Sequence, residues 1–174
     1  MSWQPQRERV LALAPSSRGV GFAYFEAPLS PIDWGLLGTK GKDKNAAGFA
    51  MVRKLVERIQ PDVIVLHEYA LPGVRRSQRV RRLQHMIATY AATQVIEIRR
   101  YARGDIKRAF ESFGAVTRHE IAQVIAGQIH AFGHRLPPRK KLWMTEDPRM
   151  TLFEAVALAL TYFSERGTLN EERD

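Results

Sequence analysis

The sequence contains no cysteine, which excludes a disulfide framework, a thiolate metal site and a cysteine nucleophile together. It also lacks a long hydrophobic run, since the most apolar stretch, residues 152–163, is too short to cross a bilayer and contains Glu154. The first residues lack the apolar segment of a signal peptide. A glycine-rich phosphate loop, a Gly-x-Ser-x-Gly turn and a His-Glu-x-x-His zinc motif are missing as well. These absences predict a cytoplasmic protein that does not bind membranes.

Acidic residues are scarce, with 18 Asp and Glu against 27 Lys and Arg, for a net charge of +9. The excess is concentrated in residues 74–108, where ten basic residues, nine of them Arg, accompany two acids. A face that serves only solubility mixes both signs, whereas Arg forms paired hydrogen bonds with phosphate. A nucleic-acid backbone is therefore the expected partner, with a solvated helix face as the alternative. The side chains expected to follow phosphates are Arg75, Arg76, Arg79, Arg82, Arg99, Arg100, Lys107 and Arg118.

A chain of 174 residues with 45% hydrophobic residues is typical of one folded domain. We expect an N-terminal extension over residues 1–8, a single domain over 9–164 and a flexible tail over 165–174. Apolar runs separated by short turns predict a meander of three strands, at 9–14, 19–25 and 32–39. The following elements are expected to be a helix at 45–59, a buried strand at 63–66, a helix at 74–92, a strand at 95–98, helices at 104–112 and 118–132, and a last helix capped by Asp147. This order predicts an α/β fold, a five-stranded mixed sheet flanked by helices.

Two acids stand out chemically. Glu154 lies in a helix whose other residues are nearly all apolar, where a carboxylate is costly unless it is paired, near solvent or bound to a metal. Glu68 follows the buried strand at 63–66, and sites in open α/β sheets gather at such strand ends. Together they suggest a magnesium site for phosphodiester cleavage. The alternatives are a solvent-facing Glu154 near the helix start and a surface Glu68 paired with Arg75 or Arg76.

Four segments, in the same order, resemble the RuvC Holliday-junction resolvases of the RNase H-like superfamily, and the resemblance covers residues 9–163. VLALAPSSRGVGFAYFE is similar to the opening strand-turn-strand of that family, and PDVIVLHE to its fourth strand, which ends in Glu. DIKRAFESFGAVTRHEIAQVI resembles the segment with a Gly-x-x-x-Lys motif, whose lysine is matched by Arg118. TLFEAVALALTY resembles the terminal, acid-bearing helix. The resemblance implies an RNase H-like fold, Mg²⁺ or Mn²⁺ as cofactor if the protein is active, a homodimer, and branched DNA as partner.

The departures from the family pattern concern the carboxylates. The first-strand Asp is matched by Ala14, and the first acid of the last helix by Thr151. The strand-end Glu falls on His67, with Glu68 one residue later, so that Glu68 serves only if the strand has ended or bulged there. Glu154 alone aligns cleanly. A site for two magnesium ions needs several carboxylates, and this one should be badly weakened.

Three functions follow as hypotheses. The first is a RuvC-like protein that binds branched or duplex DNA and has reduced or lost nuclease activity. The second is an active, structure-specific endonuclease that uses a rearranged set of side chains and favours Mn²⁺. The third is a structural or assembly subunit that binds RNA or protein through its basic face. The rearranged set would contain Glu68, Glu154, Glu146, Asp147 and His67. An Asp at position 14 in the natural gene would favour the second hypothesis.

Tyr69 stands beside these residues, where it could stack on an unpaired base or simply pack at the edge of the sheet.

Overall fold

A five-stranded mixed sheet forms the centre of the molecule. The computed structural model describes residues 7–69, 77–141, 143 and 147–171, with side chains up to residue 167. Strands run in the spatial order β3-β2-β1-β4-β5, and their bounds are β1 Val10–Ser16, β2 Gly19–Ala27, β3 Ser30–Gly38, β4 Val63–His67 and β5 Glu97–Tyr101. The pairs β1–β2 and β2–β3 are antiparallel, whereas β1–β4 and β4–β5 are parallel. The predicted α/β fold with a five-stranded mixed sheet is confirmed.

Five α-helices cover both faces of the sheet. They are α1 Lys44–Ile59, α2 Gln78–Thr93, α3 Arg103–Ala109, α4 Arg118–Gln128 and α5 Arg149–Glu171. Alternation along β1 divides the core, because Leu11 and Leu13 pack with α1 and α2, whereas Ala12 and Ala14 pack with α5 and α4. Helix α5 is therefore buried against the centre of the sheet. Within the described residues, no helix has the length and apolarity needed to span a membrane.

Several element boundaries differ from the sequence prediction for local backbone reasons. The helix expected over 104–112 ends at Ala109, and a 3₁₀ helix over Glu111–Phe113 follows it. The helix expected over 118–132 ends at Gln128, because Ile129 is extended, with φ −121° and ψ 105°. A 3₁₀ helix over His130–Arg135 follows it. Strand β5 begins at Glu97 and not at Val95, since Val95 has a left-handed φ of 57° and cannot join the ladder.

Helix α5 runs seven residues past the expected domain boundary at residue 164, to Glu171. The Tyr101 hydroxyl donates a hydrogen bond to the Glu165 carboxylate. The Tyr162 hydroxyl donates to Glu8 Oε1 at 2.6 Å, and Arg166 Nη2 donates to the same oxygen at 3.0 Å. The contacts of Glu8 link the N-terminal segment to α5, and that of Tyr101 links β5 to α5. The boundaries expected for the extension, the domain and the tail stay a prediction.

Candidate functional site

The carboxyl end of strand β4 brings two predicted site residues together. His67 is the last residue of β4 and points to the same face as Val63 and Val65, toward α5. Its carbonyl oxygen accepts a hydrogen bond from Gln84 Nε2 at 2.6 Å. Glu68 lies just beyond the strand, where its backbone N–H donates to the Tyr101 carbonyl at 2.8 Å. Strand β4 therefore ends before Glu68, which is the condition under which Glu68 was expected to serve as a site residue.

Glu154 faces this strand end from α5. Its carboxylate forms an ion pair with the Arg118 guanidinium on α4, and its Oε2 lies 3.9 Å from His67 Nε2. The Glu154 side chain is only 11% exposed, which does not support the alternative of a solvent-facing acid. A carboxylate at this depth needs a compensating charge, and Arg118 supplies it. The structure thus joins His67, Arg118 and Glu154 in one cluster.

A pocket of about 440 Å³ opens beside this cluster, between the end of β4 and helices α3, α4 and α5. Polar side chains of His67, Glu68 and Glu154 line one part of it. Basic side chains of Arg103, Lys107 and Arg118 line it as well, and its remaining lining is Tyr69, Ile106, Val116, Ile121, Ala122, Met150, Phe153 and Ala157. Tyr69 is 7% exposed and its ring stacks on His67, with 5.5 Å between ring centroids. Packing at the sheet edge therefore accounts for Tyr69.

A second cleft lies on the other side of the same ion pair. Its volume is about 360 Å³, and it shares Arg118 and Glu154 with the first pocket. Its lining is more polar, and includes Ser16, Ser17, Arg18, Ser77, Asp147 and Thr151. The Arg118–Glu154 ion pair consequently separates an apolar pocket from a hydroxyl-lined cleft along one edge of the sheet.

The two positions matched to acids in the resolvase pattern lie close together, Ala14 on β1 and Thr151 in the first turn of α5. Ala14 is fully buried and pairs with Gly21 of β2, so that both residues direct their side-chain positions to the same face. A Cβ atom on Gly21 would lie 2.4 Å from the carbonyl oxygen of Thr151. The backbone of α5 thus touches the sheet where the family pattern has carboxylates.

These residues do not fit a magnesium site of the kind expected. In the described parts of the chain, no three His, Asp or Glu side chains are close enough to hold one metal ion. Glu154 is held by a guanidinium, and neither Ala14 nor Thr151 offers a carboxylate. Magnesium requires near-octahedral oxygen ligation, usually with at least one or two available carboxylates. Glu146, which the sequence also suggested, lies outside the described residues.

Asp147 has the capping role that the sequence predicted. Its Oδ1 accepts a hydrogen bond from the Arg149 backbone N–H at 2.9 Å, at the start of α5. Its carboxylate also pairs with the Arg149 guanidinium at 2.7 Å, which lowers the pKa of Asp147 below its ordinary value. Asp147 thus lines the cleft, and its carboxylate is engaged by Arg149 at the start of α5.

The predicted phosphate-binding residues divide into groups. Arg79 is half-buried, and its guanidinium donates to the Ser16 carbonyl and to Asn45 Oδ1, both at 3.2 Å. This arrangement differs from the phosphate-facing position expected of Arg79, and it fixes the end of β1 against α1 and α2. Arg99 is exposed and donates to Glu97 at 2.7 Å, which raises its pKa. The remaining exposed members are Arg82, Arg100 and Lys107, while Arg75 and Arg76 lie outside the described residues.

The sequence did not single out Arg103 or Arg18 as site residues, although Arg103 lines the pocket and Arg18 lines the cleft. Arg103 belongs to the basic segment 74–108, and its spacing of four from Lys107 on a helix was the available signal. Arg18 lies in the turn between β1 and β2, and nothing in the sequence places that turn beside α5.

Comparisons with known proteins support the fold. No protein-family model matches the chain, and no curated protein matches its sequence. Among solved structures, RuvC of Thermus thermophilus is similar with a TM-score of 0.68 and 16% identity, over 92% of this chain and 96% of that one. The same enzyme in complex with a Holliday junction substrate gives a TM-score of 0.66 at 17% identity, over the same shares of the two chains. The yeast mitochondrial Holliday junction resolvase Ydc2 gives 0.64 at 12% identity, over 96% of this chain and 82% of that one. The chain therefore has the fold of the RuvC-type resolvases.

Proposed function

We propose that this protein binds branched DNA, of which the four-way junction is the leading example, and does not cleave it by two-metal chemistry. The observation that carries this proposal is the ion pair between Arg118 and Glu154 at the end of β4. Glu154 is the one acid that aligns with the resolvase pattern, and its charge is compensated by a protein cation. The similarity to a resolvase whose structure contains a Holliday junction substrate supports the choice of DNA.

The basic side chains that line the pocket and the cleft beside the Arg118–Glu154 ion pair support binding to a phosphate backbone. Arg18, Arg118 and Lys107 line the two neighbouring cavities, and Arg103 joins them in the larger pocket. Serine hydroxyls of the smaller cleft add uncharged donors of the kind that contact phosphate oxygens. A strand that crosses the ion pair would meet cations on both sides of it.

The chemistry of Arg118 explains why binding and cleavage separate. A guanidinium neutralises the Glu154 carboxylate through fixed N–H donors. It does not coordinate water, so it cannot lower the pKa of a bound water and generate a nucleophile as a divalent cation does. The same guanidinium remains suited to phosphate, for which Arg is a preferred partner.

Binding of the purified chain to labelled four-way junction, linear duplex and structured RNA of matched length tests the proposal, in EDTA and in Mn²⁺. We expect the tightest binding for the junction, weakening steeply with salt, and intact DNA in both buffers. The family resemblance also implies a homodimer, which the stoichiometry of the junction complex measures.

Three results would overturn this proposal. Cleavage in Mn²⁺ that is lost in Glu154→Ala would show an active enzyme built on Glu68, His67 and Glu154. Preference for RNA over the junction would favour an RNA-binding subunit. Binding that does not respond to salt would exclude the phosphate backbone as the main contact.

A further inference from the structure

The pocket beside the ion pair combines two chemical surfaces. Its interior is apolar, with Ile106, Ile121, Met150 and Phe153 from three different helices. Its volume of about 440 Å³ falls in the range of cavities that bind small organic molecules. Water in such a cavity forms few hydrogen bonds with the apolar walls, so its replacement by a flat apolar group is favourable.

Three of the five charged side chains that line the pocket are basic, and the two acids are Glu154, which pairs with Arg118, and Glu68. Arg103 and Lys107 are exposed and four residues apart on α3, so they lie on the same side of that helix. Arg118 lines the pocket from α4, where it pairs with Glu154. A ligand that fits both surfaces has a flat apolar body and an attached anionic group. A nucleotide has these two parts.

We infer that this pocket receives one unpaired nucleotide of the bound DNA, with the base in the apolar interior and its phosphate on Arg103 and Lys107. The inference rests on the proposed function, because a branch point is where duplex DNA offers such a nucleotide. Moving a base out of a helical stack is costly, and the cost is smallest where the base is already unpaired. Burial of the base against the apolar lining of Ile106, Ile121 and Met150 offsets this cost.

Fluorescence of 2-aminopurine, placed as a single unpaired base at the branch point of a four-way junction, tests the inference. We expect its emission to rise several-fold on binding to the full chain, since the base leaves its stacked neighbours. The same probe within a paired arm should not respond. Val116→Asp places a charge in the lining of the pocket, at a side chain that is 59% exposed and so tolerates substitution. This variant should bind the junction and lose the response.

Phe113→Asp is the matched control. Phe113 is 54% exposed in the same turn and is not among the residues that line the pocket, so the variant carries the same charge change nearby. It should keep the response. An unchanged response in Val116→Asp, or equal loss in both variants, would overturn the inference while junction binding, and with it the proposed function, still held.

A second measurement is independent of junction binding. Deoxyadenosine monophosphate is titrated into the protein with ¹³C-labelled methionine methyl groups. Met150 lines the pocket, whereas Met51 lies on α1 on the other side of the sheet. We expect the nucleotide to shift the Met150 methyl and not that of Met51, and deoxyadenosine without phosphate to bind more weakly. Saturating nucleotide that leaves Met150 unshifted would overturn the inference.

Discussion

The guanidinium of Arg118 holds the carboxylate of Glu154 across the gap between α4 and α5, at the edge of the sheet where β4 ends. The negative charge of Glu154 is thereby neutralised by a side chain of the protein itself. His67 completes the arrangement, with its Nε2 3.9 Å from the Glu154 carboxylate. The cluster explains how an acid persists in an otherwise apolar helix.

The pair should contribute to folding stability. Arg118→Ala leaves a carboxylate that is 11% exposed without its cation, and Arg118 itself is 38% exposed. Allowing for that solvent access, we expect the free energy of unfolding in urea to fall by about 1–3 kcal/mol, and by less in Arg118→Lys. Arg53→Ala is the control, because both members of its pair with Glu57 are 58% exposed, and it should cost less than about 1 kcal/mol. Equal losses in Arg118→Ala and Arg53→Ala would contradict the prediction.

Close packing of α5 on β2 should make Gly21 sensitive to a single methyl group. In Gly21→Ala the new Cβ would lie 2.4 Å from the Thr151 carbonyl oxygen, and backbone atoms cannot move aside as a flexible side chain can. We expect thermal unfolding to show a loss of about 1–3 kcal/mol. Gly38→Ala provides the comparison, since its Cβ would meet nothing within 4 Å. The prediction fails if both variants melt with the wild-type protein.

The cations of α3 should appear in the salt dependence of DNA binding. Each phosphate contact contributes a slope of about −0.9 to a plot of log affinity against log salt concentration. Replacing both Arg103 and Lys107 by alanine should therefore reduce the slope by about 2 and weaken binding to every DNA sequence alike. Arg53→Ala on α1 serves again as control and should leave the slope unchanged. An unaltered slope in the double variant would place the DNA elsewhere.

Alkaline pH should release the contact between α5 and the N-terminal segment. Burial, followed by the hydrogen bond to Glu8, raises the pKa of Tyr162 to about 12. A raised pKa means that the stabilisation is complete below the unfolded value of about 10 and is lost as the pH rises through about 12. The difference in unfolding free energy between wild type and Tyr162→Phe, about 1 kcal/mol at neutral pH, should disappear over this interval. Ultraviolet titration of the phenols follows the same ionisation, and a Tyr162 that ionises near 10 would disprove the prediction.

Hydrophobic patterning predicted most of the fold. The apolar run of β1, which is buried on both faces, and the helical spacing of α1 are local properties of the sequence, and the order of the elements indicates a mixed sheet. Element ends were less accurate, as at Val95, where one left-handed residue delays the strand. Such backbone states in a β-branched residue have no sequence signal.

The site was harder to predict, since its contacts join residues distant in sequence. Glu154 was found because a carboxylate conflicts with the apolar run around it. Glu68 was found because it follows the end of an apolar strand. That Arg118 would pair with Glu154 depends on how α4 packs on α5, which no local pattern specifies. The inward turn of Arg79 toward Ser16 likewise depends on the approach of α2 to β1. Spacing along α2 could not show it.

The contact between Thr151 and Gly21 couples positions 14 and 151, where the resolvase pattern has acids and this chain has none. An Ala14→Asp substitution alone would introduce a carboxylate at a fully buried position, under a helix whose backbone leaves no room even for a methyl group on the neighbouring strand. An acid at position 151 alone would still face a Glu154 that Arg118 neutralises. On the proposed function, we expect nuclease activity to require replacement of residues 14, 118 and 151 together, along with a shift of α5 away from β2.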